Sequence, residues 1–250
     1  MKIALLIPCT SKGRPWVDMK ETYLYNLSLK TFLLTMNKEY EYRFYIGIDK
    51  NDAVFDNASQ QNEIMRFSKV FPNVTFEFIS MSGIKKGHLT KMWNVLFERA
   101  YEDNFDYFFQ CGDDIYFATK GWVKDCILML RSHDDIGLTG PINNNNRILT
   151  QAFVSRKHME IFGWFFPEQI INWCCDDWYN LVYQPTHFFP LTNHFCSNNG
   201  GSPRYDVNNN PQFLEHGNGA ENTRKLRQIT KSIANEHRKL LVRYISHSDN

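Results

Sequence analysis

Several features that would place this sequence outside the ordinary globular enzymes are missing. None of its six cysteines forms a C-x-x-C pair, so the spacing of a zinc site is absent. No stretch approaches the ~20 consecutive apolar residues of a membrane span, and the N-terminal run Ile3–Ile7 is shorter than a signal-peptide core. The net charge of +1 argues against a nucleic-acid-binding domain. We therefore expect a cytoplasmic protein with reduced core cysteines and no nucleic-acid partner.

Two common phosphate-binding motifs are also missing. The P-loop pattern G-x-x-x-x-G-K-[ST] does not occur. The dinucleotide fingerprint G-x-G-x-x-G is absent as well, because Gly217-Asn-Gly219 lacks the third glycine and follows no predicted strand. These absences exclude a P-loop kinase and a simple NAD enzyme.

Strand-like and helix-like segments alternate along the chain. Helical spacing of apolar residues predicts helices over Thr22–Leu34, Ala58–Phe67, Lys85–Tyr101 and Trp122–Leu130. Apolar runs predict strands over Ile3–Ile7, Tyr42–Ile48, Val74–Ile79, Tyr107–Cys111 and Ile136–Thr139. This order predicts an α/β fold with a mostly parallel sheet flanked by helices.

The acidic pair Asp113-Asp114 follows the fourth predicted strand, in the run Tyr107-Phe-Phe-Gln-Cys-Gly-Asp-Asp-Ile-Tyr116. Ligands of open α/β sheets bind at the carboxyl ends of the strands. Adjacent carboxylates repel each other, and a divalent cation relieves that repulsion. Gly112 permits a sharp turn and a close approach of a ligand. The alternative interpretation is a strand-end turn with solvated aspartates.

An apolar strand followed by Gly-Asp-Asp-Ile-Tyr resembles the Asp-x-Asp region of GT-A glycosyltransferases. This resemblance implies a Rossmann-like sheet, a UDP- or GDP-sugar donor and Mn²⁺ or Mg²⁺ as cofactor. It implies that Asp114 holds the metal and that Asp113 faces ribose or sugar hydroxyls. The sequence departs from the strict pattern because Gly112 stands where the first acid would be.

The resemblance extends to residues that would bind the nucleotide. Pro8 and Thr10, after the first strand, match the place beneath the base, and Asp49 matches the acid that meets base or ribose. The segment Lys86-Gly-His-Leu-Thr-Lys-Met-Trp-Asn94 resembles the family segment before the metal motif. Its helix N-terminus would face phosphate, with Lys86 or Lys91 adding charge. A strand-end turn acid and solvent-facing lysines are the alternative interpretations.

A second acidic pair lies in Asn172-Trp-Cys-Cys-Asp-Asp-Trp-Tyr179, where the family carries an acidic cluster at the start of a helix. An inverting transferase needs a base for the attacking hydroxyl of a glycan, protein or lipid acceptor, and Asp176 or Asp177 fits that role. Aspartates also cap helices without any catalytic role. Trp173 and Trp178 are candidates for stacking a sugar ring, with a buried core position as the alternative.

The resemblance further implies a histidine as an additional metal ligand. The candidates are His187, His194 and His216, and His194 is preferred because it follows the run Phe188-Phe-Pro-Leu at an expected strand end.

The C-terminal part of the chain predicts a separate basic helix. We expect a transferase domain over residues 1–220 and an amphipathic helix with a tail over 221–250. This helix fits either packing on the domain with a solvated basic face or peripheral membrane contact, and packing is the preferred interpretation. Its polar faces carry the basic residues Arg224, Lys225, Arg227, Lys231, Arg238, Lys239 and Arg243.

Two other functions are compatible with the sequence. A sugar-phosphate nucleotidyltransferase shares a similar sheet, and the loop Cys9-Thr-Ser-Lys-Gly-Arg-Pro15 partly matches the basic loop of those enzymes. A non-catalytic nucleotide-sugar-binding module is the other alternative.

Overall fold

The apolar run after the N-terminus forms an interior strand of an eight-stranded sheet. The computed structural model describes residues 1–85, 87–145, 147–200 and 219–248. The strands are β1 (Lys2–Cys9), β2 (Glu41–Ile48), β3 (Val74–Ser80), β4 (Tyr107–Gln110), β5 (Ile115–Phe117), β6 (Leu138–Ile142), β7 (Ala152–Ser155) and β8 (Phe188–Asn198). Their order in the sheet is β3-β2-β1-β4-β7-β6-β8-β5.

Helices cover both faces of this sheet. They are α1 (Lys30–Thr35), α2 (Ala58–Met65), α3 (Phe67–Val70), α4 (Leu89–Glu102), α5 (Trp122–Arg131), α6 (Lys157–Phe162), α7 (Cys175–Tyr183) and α8 (Gly219–Ser248). A π-helical segment, Leu24–Leu29, precedes α1 directly. Alternate residues of β1 serve two cores, since Leu5 packs with Phe32 and Trp122 on one face and Leu6 packs with Phe97 and Trp178 on the other.

The strands divide into a parallel and a largely antiparallel half. β1 pairs in parallel with both β2 and β4, and β2 pairs in parallel with β3. β7 pairs antiparallel with β4 and with β6. The connection from β6 to β7 is too short for a helical crossover, which takes about a dozen residues or more. These two strands therefore pair antiparallel. The predicted α/β fold is thus confirmed, with its parallel pairs concentrated in the first half of the chain.

Several predicted element ends differ from the structure, and two of these differences concern candidate site residues. The helix expected from Lys85 begins at Leu89, because Gly87 has a φ of +84°, a left-handed conformation incompatible with a continuous helix. His194 does not lie at a strand end, because β8 continues to Asn198 through its pairing with β5.

The long C-terminal helix packs on the sheet domain. Leu226 contacts Cys174, while Ala234 and Leu241 share a core with Trp178 and other residues of α7. The preferred interpretation of this helix, packing against the domain, thus agrees with its contacts, whereas membrane contact stays a prediction.

Two expectations about the chain as a whole can be compared with the structure. All six cysteines are buried, and none forms a disulfide. Within the described ranges, every helix is too short or too polar to cross a membrane.

Candidate functional site

A cleft of about 490 Å³ opens at the carboxyl ends of β1, β2 and β3. Its lining comes from the loops that follow these three strands: Thr10, Ser11, Lys12, Asp49, Lys50, Asn51, Asp52, Ala53, Met81, Ser82, Gly83 and Ile84. Pro8 pairs with Gly47 just below, in the β1–β2 ladder. The structure therefore brings Thr10 and Asp49 together, as the sequence predicts, in a concave site at the edge where α/β sheets bind ligands.

Asp52 joins the first two loops of the cleft. Its carboxylate accepts hydrogen bonds from the backbone N–H of Ser11 at 2.7 Å and from the Ser11 hydroxyl at 2.8 Å. The backbone N–H groups of Val54 and Phe55 donate to the same side chain. Burial alone would raise the pKa of Asp52, but these hydrogen bonds outweigh it and lower the pKa.

Asp49 lies in the same cleft and titrates in the opposite direction. Burial raises the pKa of Asp49, and a hydrogen bond from Thr10 opposes the shift. The nearby charge of Asp52 adds to the increase, and that of Lys12 reduces it. Asp49 is therefore a carboxylate whose charge a ligand N–H or hydroxyl would help to stabilise.

The acidic pair Asp113-Asp114 occupies the tight turn between β4 and β5. Ser28 holds this turn, because its hydroxyl donates to the carbonyl oxygen of Asp113 at 2.7 Å and accepts from the N–H of Ile115 at 2.8 Å. Asp113 is fully buried, whereas Asp114 is partly exposed. Asp114 is thus the member of the pair with access to a ligand.

The end of β8 covers Asp114 closely. The N–H of Asn199 donates to the Asp114 carbonyl oxygen at 3.0 Å. A Cβ atom added to Gly200 would lie 2.0 Å from Asp114 Oδ2 and 2.4 Å from its Cβ. Arg14, from the loop after β1, donates to the Gly200 carbonyl oxygen at 2.8 Å. The loop after β1 and the end of β8 therefore meet over this carboxylate.

The second acidic pair opens α7, as the sequence predicts. The Tyr179 hydroxyl lies 3.3 Å from Asp176 Oδ1 and 3.4 Å from Oε1 of Gln110, the last residue of β4. Asp176 keeps part of its surface exposed, yet its carboxyl group is densely surrounded, and burial raises its pKa to about 7. Because Tyr179 contacts both Asp176 and the last residue of β4, Asp176 lies at the same sheet edge as Asp113-Asp114.

Asp177 forms an ion pair with Arg147, which uses both terminal nitrogens of its guanidinium. Asn180 ties the same loop to α7, because its side chain accepts from the Leu149 N–H at 3.0 Å and donates to the Leu149 carbonyl at 2.8 Å. Asn144 of this loop also bonds to Asn198 of β8. One network therefore connects the α7 acids to the segment that covers Asp114.

His194 lies elsewhere in the fold. Its Nδ1 is 3.2 Å from the Thr119 hydroxyl and its Nε2 is 2.7 Å from Asp125 Oδ2, so both ring nitrogens are engaged between β8 and α5. Among the residues with described positions, no group of three His, Cys, Asp or Glu side chains forms a metal cluster. The contacts give His194 a structural role, and its metal ligation stays a prediction without support from its geometry.

The remaining predicted residues have different outcomes. Lys91 is exposed on the first turn of α4, where its charge helps burial to lower the pKa of His88. His187, the other histidine candidate, is 2.9 Å from the Thr186 hydroxyl through Nδ1. Trp178 is fully buried, as the alternative to sugar stacking predicts, whereas Trp173 is 38% exposed. Lys86 and His216 lie outside the described residues.

Sequence reasoning missed several residues of the site. Asp52 follows Asp49 by three residues, and this repeated acid in a turn was a usable signal. Ser28, Arg147 and Gly200 act through contacts over large sequence separations, which local patterns do not reveal.

The fold is that of the GT-A glycosyltransferases, as the sequence resemblance implied. The structure of S. aureus TarS 1–349 in complex with UDP-GlcNAc matches with a TM-score of 0.58 and 14% identity, covering 98% of this chain and 73% of that one. The UDP complex matches with a TM-score of 0.52 and 15% identity, covering 79% and 60%.

The structure of TarS 1–349 without a named ligand gives the same TM-score of 0.52, with coverage of 78% and 60%. This chain thus matches about 60% of the length of these TarS structures in two of the three comparisons. The sequence itself matches no family model and no curated protein.

Proposed function

We propose that this protein is a glycosyltransferase that moves a sugar from a nucleotide-diphospho-sugar to a hydroxyl acceptor. The observation that carries the proposal is the gathering of three features at one edge of a GT-A sheet: the cleft with Asp49 and Asp52, the turn with Asp114, and the acidic pair of α7. The matched TarS structures hold UDP and UDP-GlcNAc, which supports a UDP-sugar as the donor.

The donor nucleoside fits the cleft beside Asp49. Thr10 and Asp49 would contact the base or ribose, since a carboxylate accepts from a base N–H or a ribose hydroxyl. Asp52 would act indirectly, because its bonds to Ser11 fix the shape of the cleft. Asp113, which is buried, would contribute through the geometry of its turn. Lys86 and Lys91 are the proposed phosphate contacts, and Lys91 lies on the first turn of α4.

Asp114 is the residue proposed to hold Mn²⁺ or Mg²⁺. Its partly exposed carboxylate suits a hard cation, which proteins commonly bind through one or two carboxylates together with substrate phosphates and water. That coordination agrees with the absence of a three-residue metal cluster from the described part of the chain. The bound ion would supply positive charge near the diphosphate leaving group.

The acidic pair of α7 is the proposed source of the base in an inverting reaction. A base works best when its pKa lies near the operating pH, and burial gives Asp176 a pKa of about 7. Asp177, which forms an ion pair with Arg147, offers the alternative proton acceptor. A base of either identity would remove the proton of the acceptor hydroxyl as that oxygen attacks the anomeric carbon.

Single-turnover assays with UDP-GlcNAc and a panel of acceptors test this proposal, with the product's anomeric configuration read by NMR. We expect inversion of the anomeric configuration. Loss of the base, in Asp176→Asn or in Asp177→Asn, should reduce the transfer rate by about 10²–10⁴ and leave the affinity for UDP intact. Retention at the anomeric carbon would contradict the single-base mechanism.

The pH profile assigns the base within the pair. A rate that rises through about pH 7 and loses this limb in Asp176→Asn identifies Asp176 as the base, whereas a wild-type profile without a limb there excludes Asp176.

Two control reactions address the other functions. Release of pyrophosphate from a nucleoside triphosphate and a sugar phosphate would establish a nucleotidyltransferase instead. Donor binding that disappears in Asp114→Asn, together with no turnover under any condition, would establish a binding module.

A further inference from the structure

Helix α8 concentrates positive charge in a chain that is nearly neutral overall. The whole protein has a net charge of +1. The acidic residues of α8 are only Glu221 and Glu236, whereas its basic residues are Arg224, Lys225, Arg227, Lys231, Arg238, Lys239 and Arg243. The rest of the molecule is therefore net negative, and the helix forms a distinct basic surface.

One side of α8 carries basic groups that form no ion pair with a carboxylate of the described residues. Arg224, Arg227 and Lys231 follow an i, i+3, i+7 spacing, which places them on one side of the helix. All three are exposed, and none forms an ion pair with a carboxylate within the described ranges. In contrast, Lys225 pairs with Glu221 at 3.1 Å and Lys239 pairs with Glu236 at 2.8 Å.

This side of α8 begins at the candidate active site, because α8 and α7 run in the same direction. Leu226 contacts Cys174 directly before α7, and the Trp178 indole N–H donates to His237 Nδ1 at 3.1 Å farther along. Arg238 then reaches the carbonyl oxygens of Leu181 and Val182 near the end of α7. The first turns of both helices therefore lie at the edge that carries Asp176 and Asp177.

Arg227 and Arg147 both lie close to Cys174. Burial raises the pKa of the Cys174 thiol to about 12, and Asp177 adds to the increase, while the guanidinium groups of Arg227 and Arg147 oppose it. Arg147 is half-exposed even though it pairs with Asp177. Trp173, the neighbour of Cys174 in sequence, presents 38% of its surface to solvent. Basic and aromatic groups thus adjoin the proposed catalytic pair.

We infer that Arg147, Arg224, Arg227 and Lys231, here called the basic edge, bind an anionic glycan acceptor. Its carboxylate or phosphate groups would lie on the guanidinium and ammonium groups, and a sugar ring would stack on Trp173. This inference rests on the proposed transferase function and specifies the class of its acceptor. The resulting charge complementarity would guide the glycan toward the base.

A glycan fits this surface better than a membrane does. Peripheral helices bind membranes by inserting an apolar face between lipid headgroups. The apolar side of α8, with Leu226, Ala234 and Leu241, is already buried in the protein. The basic edge has no comparable apolar stripe, so its interactions are those of charge and ring stacking.

Binding of polygalacturonate, with neutral dextran as the comparison, tests the inference without any turnover. The affinity is measured by tryptophan fluorescence at about 0.05 and 0.15 M salt, because screening weakens contacts between exposed charges. We expect polygalacturonate and not dextran to bind, and Arg224→Glu/Arg227→Glu to weaken binding about tenfold or more. Trp173→Ala should weaken binding as well.

The double variant Lys239→Glu/Arg243→Glu is the matched control, with an identical change of net charge. Its positions lie roughly 24 Å farther along the helix, and we expect it to retain most of the affinity. Equal losses in both double variants, or equal binding of dextran, would overturn the inference. Binding of phosphatidylglycerol vesicles in place of polygalacturonate would overturn it in favour of a membrane surface.

Thermal stabilisation by UDP-GlcNAc is measured on the same variants. Intact donor stabilisation without any polygalacturonate binding would refute the acceptor inference and leave the proposed function standing. If UDP-GlcNAc does not stabilise the wild-type protein, that result would count against the proposed function itself.

Discussion

At the scale of single residues, Asp176 combines its proposed catalytic position with an energetic cost. Its folded-state pKa of about 7 lies well above the ordinary value of 3.8. Between these values the folded protein binds more protons than the unfolded chain, so stability decreases as pH rises from about 4 to 7. One pKa unit corresponds to about 1.4 kcal/mol, which sets an upper bound of about 4 kcal/mol for this residue.

Asp176→Asn should therefore gain stability relative to the wild type at pH 8 and gain clearly less at pH 5. Asparagine resembles the protonated acid and cannot ionise, so the pH-dependent loss disappears. Urea unfolding at both pH values measures the difference. A variant that is destabilised by the same amount at both pH values would show that burial does not hold the proton on Asp176.

Gly200 limits the space around Asp114. In Gly200→Ala the new Cβ would collide with the Oδ2, Cγ and Cβ atoms of Asp114, so the carboxylate must move with its backbone. A misplacement of about 1 Å can reduce a catalytic rate about 100-fold, and we expect a loss of this order in UDP-GlcNAc turnover.

Asn199→Ala is the control for this variant, because its backbone N–H still donates to Asp114. It should retain most of the turnover. If Gly200→Ala is as active as Asn199→Ala, the activity does not depend on the position of the Asp114 carboxylate beneath Gly200.

At the scale of elements, Asn180 joins α7 to the loop that carries Arg147. The side chain is buried and bonds to both backbone groups of Leu149. Asn180→Ala leaves a buried N–H and C=O without partners, and each unsatisfied group costs about 1–3 kcal/mol. We expect a lower melting temperature in calorimetry, and a lower turnover through the loosened Arg147–Asp177 pair.

The exposed Asn235 of α8 offers a matched substitution. Asn235→Ala should leave both the melting temperature and the turnover nearly unchanged. Equal behaviour of the two alanine variants would remove Asn180 from the account of the site.

The elements that the sequence predicts well are those with a continuous apolar run or a clear helical period. β1, β2 and β3 lie where the runs of Ile3–Ile7, Tyr42–Ile48 and Val74–Ile79 predict them. The antiparallel half is not predictable in this way, because its pairing depends on the length of the connections and not on local composition. β8 is the clearest case, since its second half is fixed by pairing with the short strand β5.

At the scale of the whole molecule, the candidate site is only partly predictable from the sequence. Asp49, Asp114, Asp176 and Asp177 stand directly after strands or at a helix start, where sequence order alone indicates the ligand-binding edge. The side chains that position these acids cannot be identified from local patterns. Ser28 bonds to Asp113, which is 85 residues away in sequence, and Arg147 bonds to Asp177, which is 30 residues away. Tertiary contacts of this kind decide which acids are exposed and which are paired.

The charge distribution of the molecule also appears only in the folded state. The sequence shows a basic C-terminal segment, but its relation to the acidic pair depends on α8 lying alongside α7 in the same direction. Helix α8 can therefore pack on the domain and also present its basic residues near the candidate site.

The proposed function requires that a nucleotide-sugar binds at the edge formed by β1, β2, β3 and the turn after β4. A thermal-shift series with UDP-, GDP- and CMP-sugars, each with and without Mn²⁺, tests it most directly. A ligand at about 100 times its dissociation constant stabilises a protein by about 2.7 kcal/mol. We predict such a shift with UDP-GlcNAc or another UDP-sugar, reduced in Asp49→Asn and Asp114→Asn. No shift with any nucleotide-sugar, with or without the metal, would contradict the account.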